Sequence, residues 1–332
     1  MATLRDVAKR AGVSYTQASY VLNRKNLHCV RPDRQRRIRQ AMTKLNYRPS
    51  RMARQMRRTG TQTIGLLLSA EPHRGSVLPG QIEGINKAAH KAGYAVSLLR
   101  LSDEAMLGKD LPLWMREICM DGLLIHYNEN LPDNVHRVLE SVKLPAIWLN
   151  DRLDHDCVHV DEFAAGRMAT EFLIRRGHKR IAFVNPHELI HHSDLDRREA
   201  YERAMGEAGL EPQLCIKPTP EGQWSAVAKA VMEQPDPPTG LITPEVYLAI
   251  MARMIAWKAS VPASRVPEIV TFHSEPYPAA LDGVTVVAIP QEPLGHKAFE
   301  MLLEKIENPD VRGPSAVIDP YLINGGEAAF PT

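Results

Sequence analysis

Val13-Ser-Tyr-Thr-Gln-Ala-Ser-Tyr-Val-Leu-Asn23 follows directly on Thr3-Leu-Arg-Asp-Val-Ala-Lys-Arg-Ala-Gly12, and the reading of this pair decides the fold. Thr3 with Asp6 has the spacing of a capping box, which opens a first helix with Leu4, Val7, Ala8 and Ala11 on one face. Gly12 suits the left-handed turn that ends it. Ser14 with Gln17 repeats the capping spacing and opens a second helix. Its Ala18, Val21 and Leu22 point inward, leaving Tyr15, Thr16, Ser19 and Tyr20 outside. Two short amphipathic helices broken at a glycine are what lays a polar helix into the major groove of DNA. Thr16 and Gln17 can hydrogen-bond base edges, and Tyr15 can stack or donate.

Working outward, Pro32 suits the first turn of a third helix with an apolar face of Ile38, Ala41, Met42 and Leu45. Arg34, Arg36, Arg37 and Arg39 lie on its solvent side. Tyr47-Arg48-Pro49-Ser50 stops that helix and caps a short one at 51–58, which carries Arg51, Arg54, Arg57 and Arg58. Only Met52, Ala53 and Met56 could be buried there, so alone it is marginal in water. Between a duplex and a twin copy it would order, and Met56 could wedge into a minor-groove step. Residues 1–60 hold 16 Lys+Arg and 2 Asp+Glu, a net of +14; the rest holds 25 and 37, a net of −12. An overall +2 thus conceals a basic head on an acidic body, which suits a polyanionic partner for the head alone.

From residue 61 onward, apolar runs alternate with helical patterns. Strands are expected at 63–68, 95–99, 122–125, 146–149, 158–160, 181–184, 240–243, 268–272 and 284–289. Helices are expected at 81–92, 134–142, 163–176, 195–208, 227–233, 246–258 and 294–306. Continuously apolar strands separated by helices indicate parallel sheets covered on both faces, a doubly wound α/β architecture. Ligands in such sheets gather at the carboxyl ends of the strands.

The head is similar to the lactose-repressor/galactose-repressor (LacI/GalR) family of bacterial transcription factors. The resemblance is carried by residues 3–14, Ser19, Val21-Leu-Asn23, Leu45-Asn-Tyr-Arg-Pro49, Ala53-Arg54 and Gln62-Thr-Ile-Gly-Leu-Leu67. It continues through Val160-Asp-Glu-Phe-Ala-Ala-Gly166, Arg176-Gly-His-Lys-Arg-Ile-Ala-Phe183, Arg197-Arg-Glu-Ala-Tyr201 and Glu207-Ala-Gly-Leu210. It implies a helix-turn-helix domain at 1–48, a hinge helix and linker at 49–60, and an effector-binding and dimerisation core at 61–332. That core would be periplasmic-binding-protein-like, two doubly wound α/β subdomains with a ligand cleft between them. Tyr15 and Thr16 would contact bases; Thr3, Ser14, Ser19, Asn23 and Tyr47 would contact phosphates; Met56 would be the hinge wedge. Tyr20 stands where the family often has Arg or His, and the turn at 24–29 is about two residues longer than usual.

In the cleft, Arg197 aligns with the family's ligand-binding arginine, and Trp224 with an aromatic that stacks on sugar faces in some members. Asn150 sits where members often place Asp, and Ser69, Ser193 and Gln291 are further candidates. Pro244-Glu245 replaces the usual Asn-Asp pair, and His273 replaces an acid that would hold sugar hydroxyls; beside Arg197 it would favour an anion such as a sugar acid. His187, His191 and His192 share a stretch with Asp194 and read as a solvated loop rather than a metal site.

No phosphate loop, nucleophile elbow or paired-cysteine pattern is present, so neither catalysis, a cofactor nor a metal is expected. Cys29, Cys119, Cys157 and Cys215 are far apart and read as reduced thiols. There is no apolar signal core, and no run approaches the roughly 20 residues that span a bilayer, which places the protein in the cytoplasm and, when bound, on the nucleoid. The expectation is a homodimeric repressor that binds a pseudo-palindromic operator in double-stranded DNA and responds to a sugar or sugar acid. Without a heptad tail after Phe330, a dimer is expected rather than a tetramer. The alternative is a DNA-binding regulator with an inert cleft, controlled by a protein partner.

Overall fold

The computed structural model describes residues 4–22, 26–45, 60–70, 77–102, 120–127, 144–186, 188–189, 191–218, 224–262, 265–274, 284–324 and 327–329. The chain divides into two compact units, Met1–Gln62 and Thr63–Thr332.

The first unit is helical: α1 (Leu4–Ala11), α2 (Tyr15–Leu22), a 3-10 turn (Leu27–Cys29) and α3 (Pro32–Lys44). Gly12 takes φ 64°, and Val13 N–H reaches back to the Ala8 carbonyl at 3.1 Å, closing α1 as a left-handed cap does. Leu4, Val7, Ala8, Ala11, Ala18, Val21, Val30, Ile38 and Ala41 form one buried cluster. Gln35 Nε2 donates to the carbonyls of Leu27 (3.0 Å) and Val30 (2.8 Å), so one α3 side chain fixes the long turn onto the core.

The second unit holds two sheets. Its elements are β1 (Thr63–Ser69), α4 (Pro79–Ala92), β2 (Ala95–Leu101), β3 (Gly122–His126), β4 (Ala146–Leu149), β5 (Cys157–Val160), α5 (Glu162–Arg175) and β6 (Ile181–Asn185). They continue with α6 (His192–Glu207), β7 (Gln213–Ile216), α7 (Trp224–Met232), β8 (Gly240–Thr243), α8 (Val246–Lys258) and β9 (Glu268–Ser274). Last come β10 (Val284–Ile289), α9 (Gln291–Glu307), β11 (Ala316–Ile318), β12 (Tyr321–Asn324) and β13 (Glu327–Ala329). One sheet runs β11-β5-β4-β3-β1-β2, the other β13-β12-β10-β9-β8-β6-β7. The chain therefore crosses between the sheets three times: after β5, after β10 and after β11. Apolar packing is continuous across the crossings, since Ile64 and Leu66 of β1 belong to the same buried cluster as Phe183, Val270 and Ile289.

All nine expected strands are present, several a residue or two longer. Four more, β7 and β11 to β13, were not expected. The pairs β10–β12 and β12–β13 are antiparallel, so the second sheet is parallel only up to one edge. The helix expected at 134–142 lies outside the described residues.

Candidate nucleic-acid interface and effector cleft

In the head, Ser14 Oγ accepts from Gln17 N–H at 3.2 Å, the forward half of the expected capping box. The reverse half is replaced: Gln17 Oε1 accepts from Arg34 Nη1 at 3.4 Å instead. Tyr15 is 39% exposed at the start of α2, and Ser14 and Thr16 are exposed beside it. Ser19 is half-buried. Tyr20 corrects the reading that left it outside, because it packs partly against the head's core. It lies on the same helical face as Gln17, one turn on. Thr3, Asn23, Tyr47, Arg51, Arg54 and Met56 lie outside the described residues.

In the core, the carboxyl ends of the strands collect the other candidates. Ser69 is fully buried at the end of β1, and Asn150 follows β4 with φ 57°. His273, near the end of β9, is half-buried, and burial pushes its imidazole pKa down. Gln291 opens α9 nearly buried, and its Oε1 has no hydrogen-bond partner among the described residues. Trp224 begins α7, and its side chain lies outside what is described.

Arg197 lies one turn into α6. Its side chain is 11% exposed, its Nε donates to Glu162 Oε2 at 2.7 Å, and its guanidinium carbon sits 4.2 Å over the Phe272 ring. Its ion-pair partner is the buried Glu162, in the first turn of α5. Burial pushes the Glu162 carboxyl up, the guanidinium pulls it back, and Asp194 and Asp196 add to the rise. Gly166, one turn further along α5, lets α6 come close: a Cβ there would stand 2.5 Å from the Arg197 carbonyl oxygen. The bare glycine thus seats the Arg197 backbone, while the ring face and the carboxylate fix two sides of the guanidinium. They leave its terminal nitrogens without a hydrogen bond among the described residues.

Ser193 is half-buried, with its Oγ 2.7 Å from His191 Nδ1. The histidines are not the solvated loop expected of them. His191 is buried as the N-cap of α6, His192 is its first residue, and both Nε2 atoms donate to the Asn150 carbonyl at 3.1 Å. Beside them Arg152 Nη1 donates to both oxygens of Asp196, at 2.7 and 3.0 Å. His187 lies outside the described residues. Among the described residues no group of three or more His, Cys, Asp or Glu side chains could hold a metal ion, and no helix is long and apolar enough to cross a membrane.

Residues 3–50 match the family of bacterial regulatory proteins, lacI family, and residues 170–326 match a periplasmic binding protein-like domain. The chain belongs to the LacI family. This LacI-family chain is a DNA-binding transcriptional regulator with a ligand-binding-type core, and not an enzyme. The HTH-type transcriptional repressor PurR of Vibrio atlanticus (strain LGP32) is 28% identical over 324 residues, spanning 93% of both chains. Two solved structures share the fold across nearly the whole LacI-family chain. The lac repressor dimer bound to operator and the anti-inducer ONPF has a TM-score of 0.76 at 20% identity, covering 97% of this chain and 98% of that one. The complex of the transcriptional regulator CelR with cellobiose has a TM-score of 0.65 at 20% identity, covering 98% and 99%.

Proposed function

We propose that the protein is a repressor that binds a pseudo-palindromic operator as a homodimer and is controlled by a small, uncharged polyhydroxy metabolite seated between its two α/β subdomains. The observation that carries the effector assignment is the held guanidinium of Arg197. Its stem is anchored by Glu162 and Phe272, and its terminal nitrogens remain for hydroxyl oxygens. Gln291 Oε1, a buried acceptor short of a donor, suits a second hydroxyl. Glu162 shares the arginine's charge and burial keeps His273 toward neutrality, so the anion preference expected from the sequence loses both of its cations. A neutral sugar fits this field better than a sugar acid, and cellobiose in the CelR complex is a precedent of that class.

The head supports groove reading by exposed Tyr15 and Thr16, with Ser14 at the helix start for phosphate and Gln17 and Ser19 beside them. Hinge contacts by Arg51, Arg54 and Met56, and phosphate contacts by Thr3, Asn23 and Tyr47, complete the proposal. The dimer is supported by α8, whose Tyr247, Met254 and Trp257 are 51, 60 and 83% exposed at helical spacing. A second copy is the occupant this reading assigns to that stripe, as lac repressor forms a dimer on operator.

Calorimetry against neutral disaccharides and their acid counterparts tests the effector reading. Neutral sugars should bind and Arg197→Met should lose that heat, whereas binding confined to acids would refute it. One observation favours a second reading, an inert cleft under a protein partner: the chain's own histidines and Arg152 already bridge the subdomains. Retained operator binding with no sugar response at millimolar concentration would select it.

A further inference from the structure

Side chains bridge the two halves of the core. Asn150 follows β4 in the first half, with its N–H held by the Val158 carbonyl at 2.8 Å. Its own carbonyl receives His191 Nε2 and His192 Nε2, both at 3.1 Å, from the start of α6 in the second half. A carbonyl only accepts, so both imidazoles donate there. His191 Nδ1 in turn accepts from Ser193 Oγ–H (2.7 Å) and N–H (3.3 Å), so the ring carries one proton, on Nε2. The ring centroids are 4.2 Å apart.

We infer that His191 and His192, seated together on the Asn150 carbonyl, are a proton-released latch that holds the cleft shut before any effector arrives. The inference rests on reading the two halves as the jaws of an effector cleft. Two neutral rings satisfy the carbonyl; two charged rings at that separation repel, and the Nδ1 of His191 could no longer accept from Ser193. The groups that face the pair are His126 from β3, Asp151 and Arg152 from the stretch after β4, His159 from β5, and Asp196 and Arg197 from α6. His159 lies edge-on to His192 with centroids 5.9 Å apart. Asp196 Oδ2 is 3.9 Å from His192 Nδ1, but Arg152 already occupies that carboxylate.

Burial outweighs the acids. It lowers both imidazoles, His191 to about 3 with His192 as the next cause. Opened to water, the rings return to the usual value of about 6.5. The open form therefore binds more protons between those limits, and acidification favours opening. Between pH 7.5 and 5.5, His191 alone raises the opening constant about tenfold, and His192 adds in the same direction.

The test uses the full chain without DNA or sugar. Histidine C2-hydrogen exchange, read by mass spectrometry, reports the protonation midpoint of each ring. Backbone amide exchange over 146–150 and 191–197, corrected for intrinsic rates, reports opening. The expected result is no His191 midpoint above pH 5, and opening that grows at least tenfold from pH 7.5 to 5.5. In H191Q/H192Q, which keeps side-chain N–H donors but cannot take a proton, opening should stay flat with pH. A His191 midpoint near 6.5 would overturn the latch, and so would identical pH profiles for the two proteins. If the double variant does not fold, the midpoints in the unaltered chain decide alone. Failure of every sugar to bind, with these profiles intact, would remove the effector reading and leave the latch standing.

Discussion

Tyr201 shows how much one side chain secures. Its ring is fully buried against Phe183, with centroids 5.5 Å apart, and its hydroxyl donates to the Ile181 carbonyl at 2.7 Å while accepting from Gln213 N–H at 2.7 Å. One oxygen thereby ties α6 to the start of β6 and the start of β7. Burial pushes this phenol up to about 12, so it stays protonated and donating through the physiological range. Tyr201→Phe strands a buried carbonyl and a part-buried N–H and should cost about 1–3 kcal/mol, read as a lower denaturant midpoint at unchanged slope. The sequence marked Tyr201 only as part of a family motif; neither of its partners has a sequence signal. The same holds for Glu162, which as a first-turn acid reads like any residue favourable to a helix dipole. Its pairing with an arginine 35 positions away appears only when α5 and α6 are packed. His191 and His192 were misread for a related reason, since their partner is a main-chain carbonyl and carries no side-chain signature.

Between elements, glycines set the distances. α5 and α6 meet where a Cβ on Gly166 would lie 2.5 Å from backbone, and α4 meets α9 where one on Gly84 would lie 2.0 Å from the Glu292 carbonyl oxygen. Neither neighbour can swing aside as a flexible side chain would. Gly166→Ala should lower stability by about 1–3 kcal/mol, as overpacking does. It should also weaken sugar binding by more than Gly84→Ala, because only α6 carries Arg197. Equal losses in calorimetry for the two variants would show that the α5–α6 seat does not position the guanidinium. Most elements were legible because their apolar periodicity is strong: β8 is buried at all four positions and β10 at all six. β7 escaped notice because it is a four-residue edge with Leu214 exposed. β11, at the edge of the other sheet, has only three residues, none of them fully buried. Strands that short and half-wet carry no alternation to detect.

For the molecule as a whole, charge and exposed apolar area point to different partners. The head's net +14 faces a polyanion, whereas the acidic remainder would be repelled by one. Operator affinity should therefore fall steeply with salt, by about 10³–10⁵ between 50 and 200 mM if six to ten phosphates are neutralised. Filter binding across that range checks it, and a shallow slope would mean that few basic residues touch DNA. The α8 stripe predicts the assembly: Trp257→Arg should shift sedimentation from dimer toward monomer and weaken operator binding, with each half still folded. At this scale the sequence was clearest about the head, where a motif is contiguous, and least clear about the cleft, where each wall is assembled from distant segments.

The three crossings between the sheets have a consequence for synthesis. β11 lies beside β5 and completes the first sheet with residues 316–318, some 150 positions after β5 emerges. Until then a nascent chain on the ribosome holds a parallel sheet with an open flank, and its second sheet still waits for β12 and β13. Neither half can mature before residues 316–329 have emerged. The unfinished intermediate is the form that chaperones would have to shield.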